Sequence, residues 1–588
     1  MVRRWLVWVV VVGLAAVAGC PGKTEPESTG PRKAVPAEET PAGPPLFEDI
    51  TEASGIRSSY RNGEDSANHF SILESLGGGV GLIDLDGDGL LDVFLPGGGY
   101  YVGDDRRTIV GSPCRFYRNL GKGKFADVTT AVGLDQLAGG QPWFYTHGAA
   151  VADYDRDGWP DLLVTGWGRV ALFRNVPDGK GGRRFEDVTA KAGLADGITW
   201  ATSAAFADLD GDGYPDLYLC QYVDWSWKKN PLCQYDGKTQ DVCPPKDFHG
   251  LPHKLFRNTG KGGFVDVSKE VGLRPGDESN SKGLGVVVVD VDGDGKPDIY
   301  VCNDTVDNYL YVNQSTPGQI KLAEVGLTSG VARDDRGTPN GSMGVDAGDP
   351  LRTGKPAIWV TNYENELHAL YTNECRPGVV FFNYQTQTAG IAAIGQIYVG
   401  WGTNFIDVDR DGWEDLFVAN GHAIRFPVGR GVTRRQKPIL LHNQKGRFTD
   451  ISRQIGSYGQ AQHLSRGVGF GDLDNDGRID LVISNMNEPA AVLRGVGGEG
   501  NHWIGFALRG KEHADVVGAR VVLETADGMQ TRFAKGGSSY ASSADRRLLF
   551  GLGTQTTLKS VIVHWPDGSK QPLANLAVDR YHTVDQKK

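Results

Sequence analysis

Residues 84–92 read DLDGDGLLD, and nearly the same nine-residue pattern returns as DYDRDGWPD at 153, DLDGDGYPD at 208, DVDGDGKPD at 290, DVDRDGWED at 407 and DLDNDGRID at 472. Each copy holds four aspartates in a tight turn. Like charges this close repel, so a recurrent cluster calls for a bound cation or a heavily solvated loop. The six copies are 69, 55, 82, 117 and 65 residues apart. The long interval contains DPLRTGKPA from Asp349, a decayed copy that keeps Gly354 but has Leu351, Thr353 and Ala357 where the other aspartates stand.

Other signals recur in fixed order around these loops. A Phe-x-Asp start (FEDIT at 47, FADVT at 125, FEDVT at 185, FVDVS at 264, FTDIS at 448) is followed by a Gly-Leu or Gly-Ile pair. After the aspartate loop comes a β-type run such as DLLV or DIYV, then a strand like FYRN at 116 or LFRN at 172 and 255. Counting the decayed copy, this gives seven units of about four short strands, the sequence sign of a β-propeller. The last unit lacks a following Phe-x-Asp strand, and FEDIT at 47 precedes the first loop without a unit of its own. That strand is expected to complete the final blade, which removes the open sheet edges. The expected fold is therefore all-β, a seven-bladed propeller over 47–497 with a small β domain at 498–588. The 82 glycines suit many tight turns.

The loops resemble the first nine positions of an EF-hand, but position 12 is Leu95, Val164, Leu219, Val301, Val418 or Ile483 where a bidentate Glu is needed. A strand follows and not a helix, so the reading is a calcium hairpin between two strands. Its ligands are carboxylates at positions 1, 3, 5 and 9 and a backbone carbonyl at 7: Asp84, Asp86, Asp88, Leu90, Asp92; Asp153, Asp155, Asp157, Trp159, Asp161; Asp208, Asp210, Asp212, Tyr214, Asp216. The later loops supply Asp290, Asp292, Asp294, Lys296, Asp298; Asp407, Asp409, Asp411, Trp413, Asp415; Asp472, Asp474, Asp476, Arg478, Asp480. Oxygen-only ligands favour Ca²⁺ over Zn²⁺. The net charge is −11, and loss of Arg3 and Arg4 with a leader would make it −13, close to what six divalent ions offset. With no basic stripe, a nucleic-acid partner is excluded. The Asp349 loop is expected to keep its blade and hold no ion.

The repeats resemble FG-GAP/VCBS propeller repeats, as in integrin α-subunit heads. Residues 501 to 588 are similar to the ASPIC/UnbV domain, through GARVVL from Gly518, GSSYASS from Gly537, FGLG from Phe550 and VHWPDG from Val563. Together they resemble the bacterial relatives of cartilage acidic protein 1. That resemblance implies calcium-binding loops, secretion or surface attachment, and no firmly attached reaction. SSYASS has Ser where relatives usually place Gln.

The N-terminus, MVRRWLVWVVVVGLAAVAGC, has a basic start and a 14-residue apolar run, Trp5 to Ala18, too short for a comfortable membrane span. Residues 1–19 read as a signal peptide. Val17-Ala18-Gly19-Cys20 resembles a bacterial lipobox, which implies lipidation of Cys20 and an envelope location, on the outer membrane or cell surface; a plain export signal is the alternative. Residues 20–46, carrying seven prolines from Pro21 to Pro45, read as a disordered tether. Outside the cytoplasm disulfides are permitted, and Cys233 with Cys243 is the best pair. No CxxC spacing supports a zinc site.

Beyond the strands that follow the loops, the repeats leave Asn303, Asp304, Asn362, Asn420, His422 and Asn485, with His147 and Arg466 before the corresponding incoming strands. Around a propeller axis these could bind a polar ligand, a glycan or a protein. Alternatively the asparagines cap strands and satisfy turns. Trp225, Trp227, Tyr235 and Phe248 in the insertion after Gln221 either stack on a ligand or pack the loop onto its blade. No GxSxG, HExxH or paired Cys/His motif is present. The expected function is an envelope-anchored binding or adhesion module; the alternative is an enzyme using the axial face.

Overall fold

The computed structural model describes residues 43–273 and 281–587. The leader, Cys20 and most of the tether lie outside them. Among the described residues no helix is long and apolar enough to cross a membrane.

Seven four-stranded antiparallel sheets follow one another along the chain. Their first strands are Gly81–Ile83, Thr146–Ala152, Ala201–Ala207, Gly283–Val289, Val345–Gly348, Gly400–Ile406 and Ser465–Gly471. These strands are buried throughout apart from Val151 and carry mostly small or β-branched side chains, with a few large ones such as Phe206, Trp401 and Phe470, which suits the crowded centre of a radial array. Each touches the first strands of the sheets before and after it, and the contacts run from the seventh back to the first. The seventh sheet takes its fourth strand from the chain start: Phe47 pairs with Gly495 and Asp49 with Leu493. The strand expected to close the series does so. The apolar core lies between neighbouring sheets, as where Leu217, Leu219 and Phe256 of the third meet Leu163 and Leu172 of the second. The architecture is all-β and propeller-like.

Residues 502–585 form two further sheets, one of three strands and one of four. His502–Arg509 pairs in parallel with Tyr581–Asp585, and Ile504, Phe506, Val521, Phe550 and Trp565 share one core. The connection 534–547 leaves these sheets and threads between the inner strands of the array. Gly536 exchanges backbone hydrogen bonds with Val288, and Ser539 with Val345. Ala541 accepts from the Ala149 N–H at 3.1 Å, and its own N–H donates to Ser203 Oγ at 2.9 Å. Ser543 pairs with Val80 and Leu82, and the Asp545 N–H donates to the Phe470 carbonyl. Tyr540 is fully buried against Trp401, ring centroids 4.8 Å apart, and its hydroxyl donates to the Leu76 carbonyl. All seven sheets therefore grip this one segment. The inner strands must come close to it: a Cβ on Gly79 would lie 1.7 Å from the Ala541 oxygen.

Candidate metal loops and the axial face

Every carboxylate-complete loop is organised by its first aspartate, whose oxygens accept backbone N–H groups from the turn it heads. Asp84 takes Gly87, Asp88 and Gly89; Asp153 takes Asp157 and Gly158; Asp208 takes Gly211, Asp212 and Gly213. Asp290 takes Gly293 and Gly295, Asp407 takes Gly412, and Asp472 takes Asp476 and Gly477. The sharp turn needs a left-handed residue at position 6, and glycine supplies it, with φ between 80° and 92° from Gly89 to Gly477. The fifth aspartate accepts the N–H of the seventh residue, so Leu90, Trp159, Tyr214, Lys296, Trp413 and Arg478 are held at the rim.

The ninth aspartate does more than sequence reading assigned to it. Asp92 accepts the N–H groups of Leu85 and Asn119. Asp161, Asp216, Asp298, Asp415 and Asp480 repeat this with the second loop residue and a third-strand residue. It ties loop to sheet as well as facing the cluster.

Carboxylate oxygens converge within 4.8 Å in several loops, including Asp84, Asp86 and Asp88; Asp153, Asp155 and Asp161; and Asp208, Asp210 and Asp216. Burial pushes the first aspartates up, Asp153, Asp290 and Asp472 to about 6, Asp208 to about 7 and Asp407 to about 8. Neighbouring carboxylates raise them further, Asp157 and Asp155 acting on Asp153. Most telling are the orphans: Asp155 Oδ1, Asp210 Oδ2, Asp407 Oδ1 and Asp474 Oδ1 are buried with no hydrogen-bond partner. Buried charge without a partner is costly, and a hard divalent cation bound by oxygens would supply the missing partner. The donor set fits calcium. Arginines of the third strands also reach loop carboxylates: Arg118 pairs with Asp86 and Asp88, and Arg174 with its own loop, Nε lying 2.5 Å from Asp155 Oδ2 and Nη2 2.8 Å from Asp157.

In the Asp349 loop the turn keeps its shape with one carboxylate. Thr353 and Gly354 donate their N–H groups to Asp349 at 2.7 Å, and burial pushes Asp349 to about 7. Arg352 donates to the carbonyls of Asp411 and Gly412 and lies over Trp413, fastening this loop to the next. The fifth sheet is complete around it.

Of the two readings of the residues at the other end of the sheets, the structure favours strand and turn capping over a ring of free polar groups. His147 is fully buried between the Gly77 carbonyl, the Tyr60 hydroxyl and the Trp200 indole N–H, and burial lowers it to about 4. Arg466, also fully buried, donates to the carbonyls of Ser75, Gly421, Ser465 and His422 and lies over Trp401. Asn303 bridges Lys282 N and the Asp307 carbonyl; Asn362 bridges Ser342 and Leu367; Asn485 bridges Ser465 and Pro489. Asn420 donates to the Lys437 carbonyl, His422 lies 3.4 Å from Glu364, and Asp304 accepts from the Tyr222 hydroxyl. Most of these groups satisfy turns and cement the centre because loops from every sheet crowd there; Asn420 Oδ1 and His422 Nε2 are buried without a hydrogen-bond partner.

The insertion behaves similarly. Cys233 and Cys243 form a disulfide; Trp225 and Phe248 are buried, and Trp227 packs on His69, Tyr101 and Trp225. Tyr235 is partly exposed, its hydroxyl donating to the Val242 carbonyl, and Leu232, Phe426 and Val428 are more exposed. Cys114, Cys220, Cys302 and Cys375 are buried free thiols.

Sequence reading missed the asparagine at or near the end of the third strand. Its side chain donates across to the preceding sheet's loop: Asn175 to Leu85 O, Asn258 to Tyr154 O, Asn313 to Leu209 O, Asn373 to Val291 O, Asn443 to Pro350 O and Asn119 to Leu473 O. The recurring Asn of FYRN and LFRN was its signal.

The chain's sequence carries two known kinds of unit. The family described as FG-GAP-like repeat matches residues 84–164, 153–219, 252–301 and 407–483, and the family described as ASPIC and UnbV matches 509–588. Cartilage acidic protein 1 of Homo sapiens is 28% identical over 535 residues, covering 78% of this chain and 74% of that protein. The Xenopus tropicalis protein of the same name is 24% identical over 504 residues, covering 76% and 74%. Among solved structures, an Agrocybe aegerita lectin described for recognition of non-reducing terminal N-acetylglucosamine is 17% identical and covers 65% of this chain and 80% of its own, with a TM-score of 0.38, too slight an overlap to define the fold.

Proposed function

We propose that this chain, a protein of FG-GAP-like repeats ending in an ASPIC/UnbV domain, is a seven-bladed calcium-binding propeller anchored at the bacterial cell envelope through Cys20. It serves there as an extracytoplasmic binding or adhesion module for a polar ligand, a glycan or a protein. The division into leader 1–19, tether 20–46, propeller 47–497 and C-terminal domain 498–588 belongs to the same proposal. The observation that carries it is the set of buried, partnerless carboxylate oxygens in the repeated loops. A divalent cation in each would offset their repulsion and stiffen the sheet ends. With His147 and Arg466 fully buried and hydrogen-bonded at the centre, ligand recognition is assigned to the outward loops near Tyr235 and Phe426.

Bound-metal analysis of the purified protein tests the metal half: several tightly held calcium ions are expected, and fewer than three would refute it. Chelation should lower the melting temperature, since an ion bound only to the folded state stabilises it by mass action. Glycan and protein arrays test the ligand half, and protein lacking Cys20 should leave the membrane fraction.

A further inference from the structure

The loop Asp407–Asp415 faces a different side chain from its five counterparts. The N–H that donates to the ninth aspartate fixes the alignment, so the residue just before it stands opposite the loop: Arg118, Arg174, Arg257, Val312 and Arg494 in the others, His442 here. An arginine can only neutralise carboxylates; an imidazole nitrogen can share a metal with them. His442 Nε2 lies 3.2 Å from Asp409 Oδ2 and makes no in-line hydrogen bond. That nitrogen and oxygens of Asp409 and Asp415 all lie within 4.8 Å of one another. Asp407, which heads the loop, is 9% exposed, and its Oδ1 is buried without a partner. Two donors bound at about 2.1 Å on neighbouring corners of a tetrahedral or octahedral ion sit about 3.0–3.4 Å apart; the 3.2 Å between His442 and Asp409 is compatible with that and, without a metal ion, is an ion pair.

We propose that this loop takes a divalent transition ion of the zinc class, held by His442 Nε2 with Asp409 and Asp415, in place of calcium. One nitrogen among carboxylates suits such an ion, whereas calcium takes six to eight oxygens. The inference rests on reading the loops as cation sites.

The test uses the full-length protein in saturating calcium, titrated with Co²⁺ as a spectroscopic probe and then with Zn²⁺. One Co²⁺ should bind with a ligand-field absorption that Zn²⁺ abolishes. His442→Arg, the residue that four sister sheets already carry at this place, should weaken that site at least about tenfold. Its melting temperature in calcium should not fall. His442→Gln, closer in size, should weaken the site likewise. Cobalt binding unchanged in both variants, or displaced by calcium at equal affinity, overturns the proposal. Calcium bound with no cobalt site overturns this inference alone; no binding of either ion overturns the loop reading too.

Discussion

Asn119 is 2% exposed, and its amide donates to the carbonyls of Leu91 and Leu473, bridging the first sheet to the seventh. Its own N–H goes to Asp92. Replacing it with Ala leaves two buried carbonyls without donors, each costing about 1–3 kcal/mol. Asn119→Ala should therefore lower unfolding stability in urea by about 2–4 kcal/mol, while Lys122→Ala on the exposed turn stays within about 0.5 kcal/mol. Equal midpoints for the two would contradict the bridging role. The neighbouring Arg118 shows why such roles escape a linear reading: its partners Asp86 and Asp88 lie some thirty residues away in sequence.

At the scale of the loop, charge and burial set a pH dependence. Asp153, Asp290 and Asp472 are raised to about 6 and Asp208 to about 7 by burial, above the usual value near 4. In chelator the folded chain thus holds protons that the unfolded chain has released, so the unfolded state binds fewer protons between about pH 4 and 7. Stability must fall as pH rises through that window. Calcium favours the ionised forms and should flatten or reverse the trend. Urea midpoints from pH 5 to 8, with chelator and with calcium, read this directly; parallel curves would refute it. The Asp349 loop is the internal control. Asp349→Asn should leave calcium stoichiometry unchanged, whereas Asp84→Asn should remove one ion.

For the whole molecule the segment 534–547 matters most, since strands of all seven sheets contact it and it belongs to the C-terminal sheets. Tyr540→Ala opens a cavity beside Trp401 and should cost about 3–5 kcal/mol. Loosening the segment should also expose 534–547 to limited proteolysis, detectable by mass spectrometry before global unfolding. Gly79→Val, which drives side-chain atoms onto Ala541, should do the same. If either variant stayed as protease-resistant as the parent, the segment would not be the central tie.

Repetition made the outer architecture legible. Period, loop chemistry and strand patterning are local properties, written again in each unit, so the sheets, the decayed loop and the closing strand Phe47–Asp49 could be read from residues alone. The candidate cation ligands were legible for the same reason: a nine-residue hairpin brings its own carboxylates together. What the sequence could not decide depends on residues hundreds of positions apart. Whether His147 and Arg466 face solvent or are buried was settled by loops converging from every sheet. Nothing in the GSSYASS stretch itself announces that it fills the centre, where its backbone bonds to free N–H and C=O groups of the inner strands. Likewise His442 became notable only when folding laid it across from Asp409. Local chemistry repeats in sequence, whereas burial and cross-sheet pairing exist only once the chain has closed around its core.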